Sequence, residues 1–161
     1  MSIRMAYSAD ADVVRRITHE TIKTIYPHYY PAGAVEFFLA HHSEENIVND
    51  ISAGIVFLCL DTDNNTVGTV TLRQNEICRL FVLPQYQGHG YGKELLEFAE
   101  AEIAKHYDEI VIDASFSAKS IYLKRGYKET EYHTIKTGNN DHLCYDVMKK
   151  TDQKLRGYTK W

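Results

Sequence analysis

The sequence has no apolar run long enough to span a membrane. It also lacks the charged-then-apolar leader of a secreted chain, so the cytoplasm is the expected compartment. Cysteine is scarce: Cys59, Cys78 and Cys144 are the three present, each inside an apolar stretch. An odd number at wide spacing excludes a disulfide framework and implies reduced thiols. No pair has the C-x-x-C spacing of a zinc site, and His19-Glu20-Thr21-Ile22-Lys23 fails the H-E-x-x-H pattern at its last place, so no metal is expected. Basic clusters are missing until the last dozen residues and the net charge is −4, which excludes the basic face of a nucleic-acid binder. Repeats, low-complexity tracts and linkers are absent.

What remains is an ordinary globular composition, with 44% hydrophobic and 25% charged residues in 161. This length fits one domain, expected over residues 1–150, followed by a polar, basic tail at 151–161. Tyrosine is abundant at 12, as suits a pocket or interface that needs apolar bodies with polar tips.

Periodicity places a short strand at Ile3 and Met5, then a helix through Val13, Val14, Ile17, Ile22 and Ile25, capped by Asp10 or Asp12. Tyr26-Pro27-His28-Tyr29-Tyr30-Pro31 ends it, and a second helix is expected from about Ala34 to Ser52. The run Ile55–Leu60 reads as a strand buried on both faces. Strands at 67–72 and 77–83, a long helix from about Gly90 to Tyr107, a strand at 109–114, a short helix at 118–124 stopped by Gly126, and strands near 127–136 and 142–149 complete the chain. The order is β-α-α-β-β-β-α-β-α-β-β: an α/β (α+β) fold with a mixed, mostly antiparallel sheet of about seven strands and four helices.

The most informative segment is Leu80-Phe81-Val82-Leu83-Pro84-Gln85-Tyr86-Gln87-Gly88-His89-Gly90-Tyr91-Gly92-Lys93. A strand enters alternating glycines and a helix begins there. Glycine permits positive φ and close backbone approach, and a helix N-terminus offers free N–H groups at the positive end of its dipole. Together these form a cradle for pyrophosphate. It is not a Walker P-loop, because Gln87 stands where glycine is needed and Glu94 follows Lys93. Nor is it a Rossmann loop, because Lys93 fills its last glycine place.

Gln87, Gly90 and Gly92 match the Gln/Arg-x-x-Gly-x-Gly/Ala motif, and the chain resembles the GNAT superfamily of N-acetyltransferases. Downstream, Ala118, Tyr122, Lys124, Gly126 and Tyr127 match a second pattern of that family, with Ser115 at its usual asparagine place. The resemblance implies the GNAT fold and transfer of an acetyl group from acetyl-CoA, as co-substrate, to a primary amine of a small-molecule or peptide acceptor, by direct attack in a ternary complex. It also implies that Phe81 and Val82 line the pantetheine arm. Gln87, Gly88, His89, Gly90, Tyr91, Gly92 and Lys93 would hold the pyrophosphate, with Ser115 and Tyr122 also at the cofactor. The backbone N–H of Val82 or a neighbour would receive the oxyanion at a break in strand pairing. Tyr122 would be the general acid, or else a core tyrosine. Glu76 would be the base, or else a strand-end carboxylate. An acetyl-CoA sensor on the same fold is the alternative function.

For the acceptor, Tyr26, His28, Tyr29 and Tyr30 supply rings stiffened by two prolines, fit for a cationic or apolar amine or for a homodimer interface. Arg79 within Ile-Cys-Arg-Leu-Phe-Val either meets an acidic acceptor or pairs with Glu76 or another carboxylate. Tyr132, His133, His142 and Tyr145 would line the far wall. His19, His41 and His42 are expected in solvent.

Overall fold

The computed structural model describes residues 1–151. Strand β1 (Ser2–Met5) leads through a 3₁₀ turn into α1 (Ala11–Ile25). Asp10 stands at the cap position but does not cap: its carboxylate accepts from the backbone N–H of Tyr7 and from Arg4 at 2.8–2.9 Å, tying the strand to the helix start. Helix α1 buries Val14, Ile17, Thr18, Thr21 and Ile22, the stripe its spacing dictates.

The expected second helix is divided into α2 (Ala32–His41) and α3 (Glu44–Ser52). His42 leaves helical geometry at φ −102°, ψ 46°, and Ser43 caps α3 by accepting from the N–H of Asn46 at 3.2 Å. The expected solvation of His42 does not hold either, because its ring is buried. Burial, then the Arg79 charge, pushes its imidazole down to about 3, so it is neutral.

Strands β2 (Val56–Leu60), β3 (Thr66–Arg73) and β4 (Glu76–Val82) form a meander, followed by α4 (Tyr91–Ala104), β5 (Glu109–Ala114), α5 (Lys119–Lys124), β6 (Lys128–Lys136) and β7 (His142–Thr151). Thr151 closes β7; the rest of the expected tail, 152–161, lies outside the described residues. The sheet runs β1-β2-β3-β4-β5-β7-β6, antiparallel except for β4 beside β5. Leu95, Leu96, Ala99 and Ile103 of α4 pack on one face with Val70, Ile77, Ile112 and Met148. The opposite face carries α1, α2 and α3 in two further clusters, one around Phe81, Ile22 and Tyr26, the other around Val14, Ile47 and Leu58. Strand β2 is buried on both sides, as its unbroken apolar run requires. Gly68 allows α4 to settle closely, since a Cβ there would stand 2.8 Å from Leu95 and 3.0 Å from the Phe81 carbonyl. Among the described residues no helix is long and apolar enough to cross a membrane.

Candidate active site

Strand β4 pairs with β3 from Glu76 to Val82 but meets β5 only at Glu76↔Val111 and Ile77↔Ile112. Beyond Ile77 the two strands part and leave a fork in the sheet. A bulge marks the parting: Arg79 opposes Thr71 and Ile77 opposes Leu72, so Cys78 has no opposite residue on β3. The Leu83 N–H donates to Val67 O at 2.9 Å. In an antiparallel ladder, hydrogen-bonded residues alternate, so Phe81 and Arg79 face β3 while the peptide groups of Val82 and Leu80 face the fork. The Val82 carbonyl accepts from Thr21 Oγ1 at 3.1 Å and from Gln87 Nε2 at 2.9 Å.

The glycine loop closes the far end of β4. A 3₁₀ turn at Pro84–Tyr86 leads to Gly88 at φ +78° and Gly90 at φ +92°, and α4 starts at Tyr91. A Cβ on either glycine would meet nothing within 4 Å, so the left-handed backbone and not crowding selects glycine, and the loop presents bare amide to the outside. These amides and the first turn of α4 fit a pyrophosphate. Lys93 is exposed, 3.8 Å from Glu97. His89 turns its Nδ1 back to the Gln87 carbonyl at 2.9 Å, and Tyr91 packs edge-on to Tyr86. Of the expected cofactor set these two do not line the fork; Phe81, Val82, Gln87, Gly88, Gly90, Gly92, Lys93, Ser115 and Tyr122 do.

One cavity of about 920 Å³ runs from this loop along the fork to α2 and the last strands. Tyr122 opens on it yet is 7% exposed, and its hydroxyl makes no hydrogen bond among the described residues. Burial raises its pKa, so the phenol stays protonated. Ser115 Oγ lies 3.0 Å from Ser117 Oγ. At the crotch stands Glu76, half-buried and without an ion-pair partner among the described residues. Burial raises its pKa, the nearby Asp113 adds to the effect, and Arg73 opposes it.

Arg79 is 5% exposed and does not pair with Glu76. Its guanidinium donates to Asp50 Oδ2 at 3.0 Å, Thr71 Oγ1 at 2.8 Å and His42 Nδ1 at 3.3 Å, while Asp50 also holds Arg73 at 2.8 Å. With its donors committed, Arg79 braces β4 against α2 and α3, although it borders the cavity.

The aromatic segment divides. Tyr26 lines the cavity, with its phenol pushed up to about 12 by burial. Tyr30 is buried behind it, its hydroxyl accepting from the Phe116 N–H at 2.8 Å while the two rings stack at 5.1 Å. His28 and Tyr29 are exposed on the outer side of the turn, because Pro27 and the 3₁₀ geometry send only Tyr26 and Tyr30 inward. On the last strands Tyr145 lines the cavity. His133 stacks behind it at 5.3 Å and bonds to Glu131 at 2.9 Å, and Tyr132 and His142 are exposed away from it.

Sequence reasoning missed Asp113, Phe37, Phe38 and Cys78 as cavity residues, and placed His41 only in solvent. Asp113 has a legible signal. It alternates with the buried Ile112 and Ala114 of β5, and so faces away from α4. For the α2 residues the signal is indirect: Ser43, with Glu44 and Glu45 after it, marks a new helix start and so the end of α2.

The family model described as the acetyltransferase (GNAT) domain matches residues 25–151. A GCN5-related N-acetyltransferase from Rhodopseudomonas palustris superposes with a TM-score of 0.84 at 24% identity, over 94% of this chain and 95% of that one. PaiA N-acetyltransferase from Thermoplasma acidophilum, solved with coenzyme A, gives 0.72 at 23% identity over 94% and 98%. A phosphinothricin acetyltransferase from Sinorhizobium meliloti, solved with acetyl-CoA, gives 0.69 at 15% identity over 93% and 87%. No curated protein sequence matches the chain significantly.

Proposed function

Since the chain belongs to the GNAT family of acetyltransferases, we propose that it transfers the acetyl group of acetyl-CoA to a primary amine of a small molecule, by direct attack in a ternary complex. The observation that carries this reading is the forked sheet: one continuous cavity joins a glycine cradle, a free strand edge and an unpaired carboxylate. The loop amides of Gly88 to Gly92 and the start of α4 would hold the pyrophosphate. The fork-facing peptide groups of Leu80 would pair with the pantetheine arm, and the Val82 N–H, whose own carbonyl is taken by Thr21 and Gln87, would receive the carbonyl oxygen as it gains charge.

An alkyl ammonium near pKa 10.4 costs about 4–5 kcal/mol to deprotonate at neutral pH. Glu76 would accept that proton, directly or through water, and its raised pKa brings it closer to the amine. The neutral nitrogen would attack the thioester carbon; as the tetrahedral oxyanion collapses and the C–S bond breaks, nitrogen would lose a second proton, the departing sulfur would gain one by way of the Tyr122 hydroxyl, and Glu76 would return its own proton to solvent. A small acceptor is favoured because Phe37, Phe38 and His41 of α2 and Tyr145 of β7 add an aromatic border to the cavity.

The test is release of free thiol from acetyl-CoA across a panel of primary amines, with product masses. Amine-dependent thiol release with a mass gain of one acetyl group supports the reading. Tight acetyl-CoA binding with no turnover of any amine would leave a sensor instead.

A further inference from the structure

Where α2 ends, the backbone of His42 is pinned on both sides. Its N–H donates to the Phe38 carbonyl at 3.0 Å, and its own carbonyl accepts from His19 Nε2 at 2.7 Å. The ring packs edge-on to Phe81 at 5.7 Å and to His41 at 5.0 Å, and the residue is 7% exposed. Its Nδ1 lies 3.3 Å from Arg79 Nε. An arginine N–H can only donate, so Nδ1 accepts and carries no proton. The ring is neutral, because burial and then the Arg79 charge oppose its protonation. Its single proton therefore sits on Nε2, a tautomer imposed by Arg79. Arg79 is itself fixed, with its two terminal nitrogens on Thr71 Oγ1 at 2.8 Å and Asp50 Oδ2 at 3.0 Å.

The Nε2–H has no hydrogen-bond partner among the described residues. Yet it is not sealed in protein as the unsatisfied hydroxyls of Thr18 and Thr137 are, so it reaches open space. The open space that His42 borders is the cavity. Asp50 gives one oxygen to Arg79 and the other to Arg73, so this network offers the cavity a donor and no free carboxylate oxygen. It also carries one net positive charge, from two guanidinium groups that share one carboxylate. An ammonium group is repelled there and drawn to the unpaired Glu76; an oxygen atom is drawn to His42.

We propose that His42 is a specificity-determining residue, whose Nε2–H donates a hydrogen bond to an oxygen atom of the amine acceptor, with Arg79 holding the ring in the donating tautomer. This rests on the amine-acetyltransferase reading above and adds to it the group that tells the two ends of the acceptor apart. An acceptor with hydrocarbon in place of that oxygen leaves a nearly buried N–H without a partner, and a site built to bond an oxygen discriminates against such an analogue. Arg79 acts through His42 and does not touch the substrate.

The experiment compares methoxyalkylamines of increasing chain length with the alkylamines in which a methylene replaces the oxygen. An ether oxygen accepts a hydrogen bond and cannot donate one, so the pair reads a donor in the site. With kcat/KM referred to the free base, one chain length should favour the ether by about fivefold or more, the scale of one hydrogen bond. In His42→Phe this ratio should fall to within about twofold of one, while His42→Gln, which can place an amide N–H near Nε2, should keep most of it. Nitrogen NMR of the histidine-labelled wild type, which needs no variant to fold, should show His42 protonated at Nε2 and bare at Nδ1 at neutral pH. A ratio near one at every length, a preference that survives in His42→Phe, or a proton on Nδ1 overturns the proposal and leaves acetyl transfer standing. Turnover of no amine overturns the underlying reading, and the substrate role of His42 with it, even where the ring shows the expected tautomer.

Discussion

Replacing Tyr122 by Phe removes a single oxygen that makes no hydrogen bond among the described residues. The ring keeps its packing against Tyr127, 5.6 Å away at 60°. Deleting a hydroxyl normally costs about 1 kcal/mol through a lost hydrogen bond. Here no bond within the described residues is lost, and the hydroxyl opens on the cavity, so little desolvation is relieved. The expected change in stability is therefore within about 1 kcal/mol of zero. For a chain of this size, that moves the melting temperature by no more than a few degrees, at about 2–4 °C per kcal/mol. Turnover should fall. A free thiol near pKa 8.5 is a stronger acid than a phenol raised above 10, so full proton transfer to the thiolate is uphill by at least about 2 kcal/mol. In the proposed mechanism the hydroxyl would thus act chiefly as a hydrogen-bond donor to sulfur as it gains charge, with the proton passing late. Such a bond to a charged group is worth about 1.5–3 kcal/mol, or roughly 10- to 150-fold in kcat. Acetyl-CoA affinity, set elsewhere along the fork, should hold within a few-fold. Thermal unfolding, calorimetry and initial rates on one variant decide the matter. A Phe enzyme that melts lower and turns over normally would remove Tyr122 from the chemistry.

Glu76→Gln should lower kcat by about 10²–10⁴. Because the folded pKa of Glu76 is raised, kcat/KM of the wild type should fall as pH drops through a value above the usual carboxylate range, and this acid limb should vanish in the variant. The ionised side chain opposes folding above its unfolded pKa, so the Gln protein should be at least as stable at neutral pH. Asp113→Asn removes a repulsive neighbour and should shift the same limb to lower pH; a limb that rises or stays fixed would deny the coupling. Gly90→Val forces a branched residue to φ +92°, a strain of about 1–3 kcal/mol, and should weaken acetyl-CoA binding at least tenfold by calorimetry; unchanged affinity in the folded variant would move the pyrophosphate elsewhere. Asp50→Ala strands a guanidinium with 3% side-chain exposure and should cost about 3–5 kcal/mol in denaturant unfolding; Arg79→Met, which leaves Asp50 bonded to Arg73, should cost clearly less.

The order of elements was legible because the signals are local. Alternation marks the strands, the Val14–Ile22 stripe marks α1, and Gly88 and Gly90 mark the loop, since positive φ favours glycine from within the residue itself. The division of the second helix was missed although it leaves a local trace: the apolar stripe lapses between Leu39 and Ile47, and Ser43 followed by Glu44 and Glu45 is a helix-start pattern. The turn of His42 toward Arg79, 37 positions away, was not legible. Arg79 itself shows the same limit. A charge inside an apolar strand announces that it has a partner, but Asp50 lies 29 residues upstream on another helix and no spacing rule connects them. Tyr26 and Tyr30 looked alike as pocket rings; a 3₁₀ turn set one on the cavity and the other behind it.

Those distant contacts are also what hold the fork open. A sheet tends to close, since two strands that lie side by side gain a ladder of hydrogen bonds. Here β4 leaves β5 after two rungs, and each prong is held by bonds from outside the ladder. On the β4 side, the bulge at Cys78 breaks the register, Arg79 ties the strand to Asp50, and Thr21 and Gln87 occupy the Val82 carbonyl. On the β5 side, Tyr30 accepts from the Phe116 N–H and stacks on its ring, fastening the loop after Ala114 to the α1–α2 corner. The separation is thus set before any ligand enters, so binding need not break a strand pair to expose the Leu80 peptide groups and the Val82 N–H. In the proposed mechanism a fork set in advance would position the thioester without reorganisation at the moment of attack, and such positioning accounts for much of a transfer enzyme's rate. Tyr30, behind the cavity, and Arg79, on its border, would then serve function without touching substrate, by keeping two strands apart.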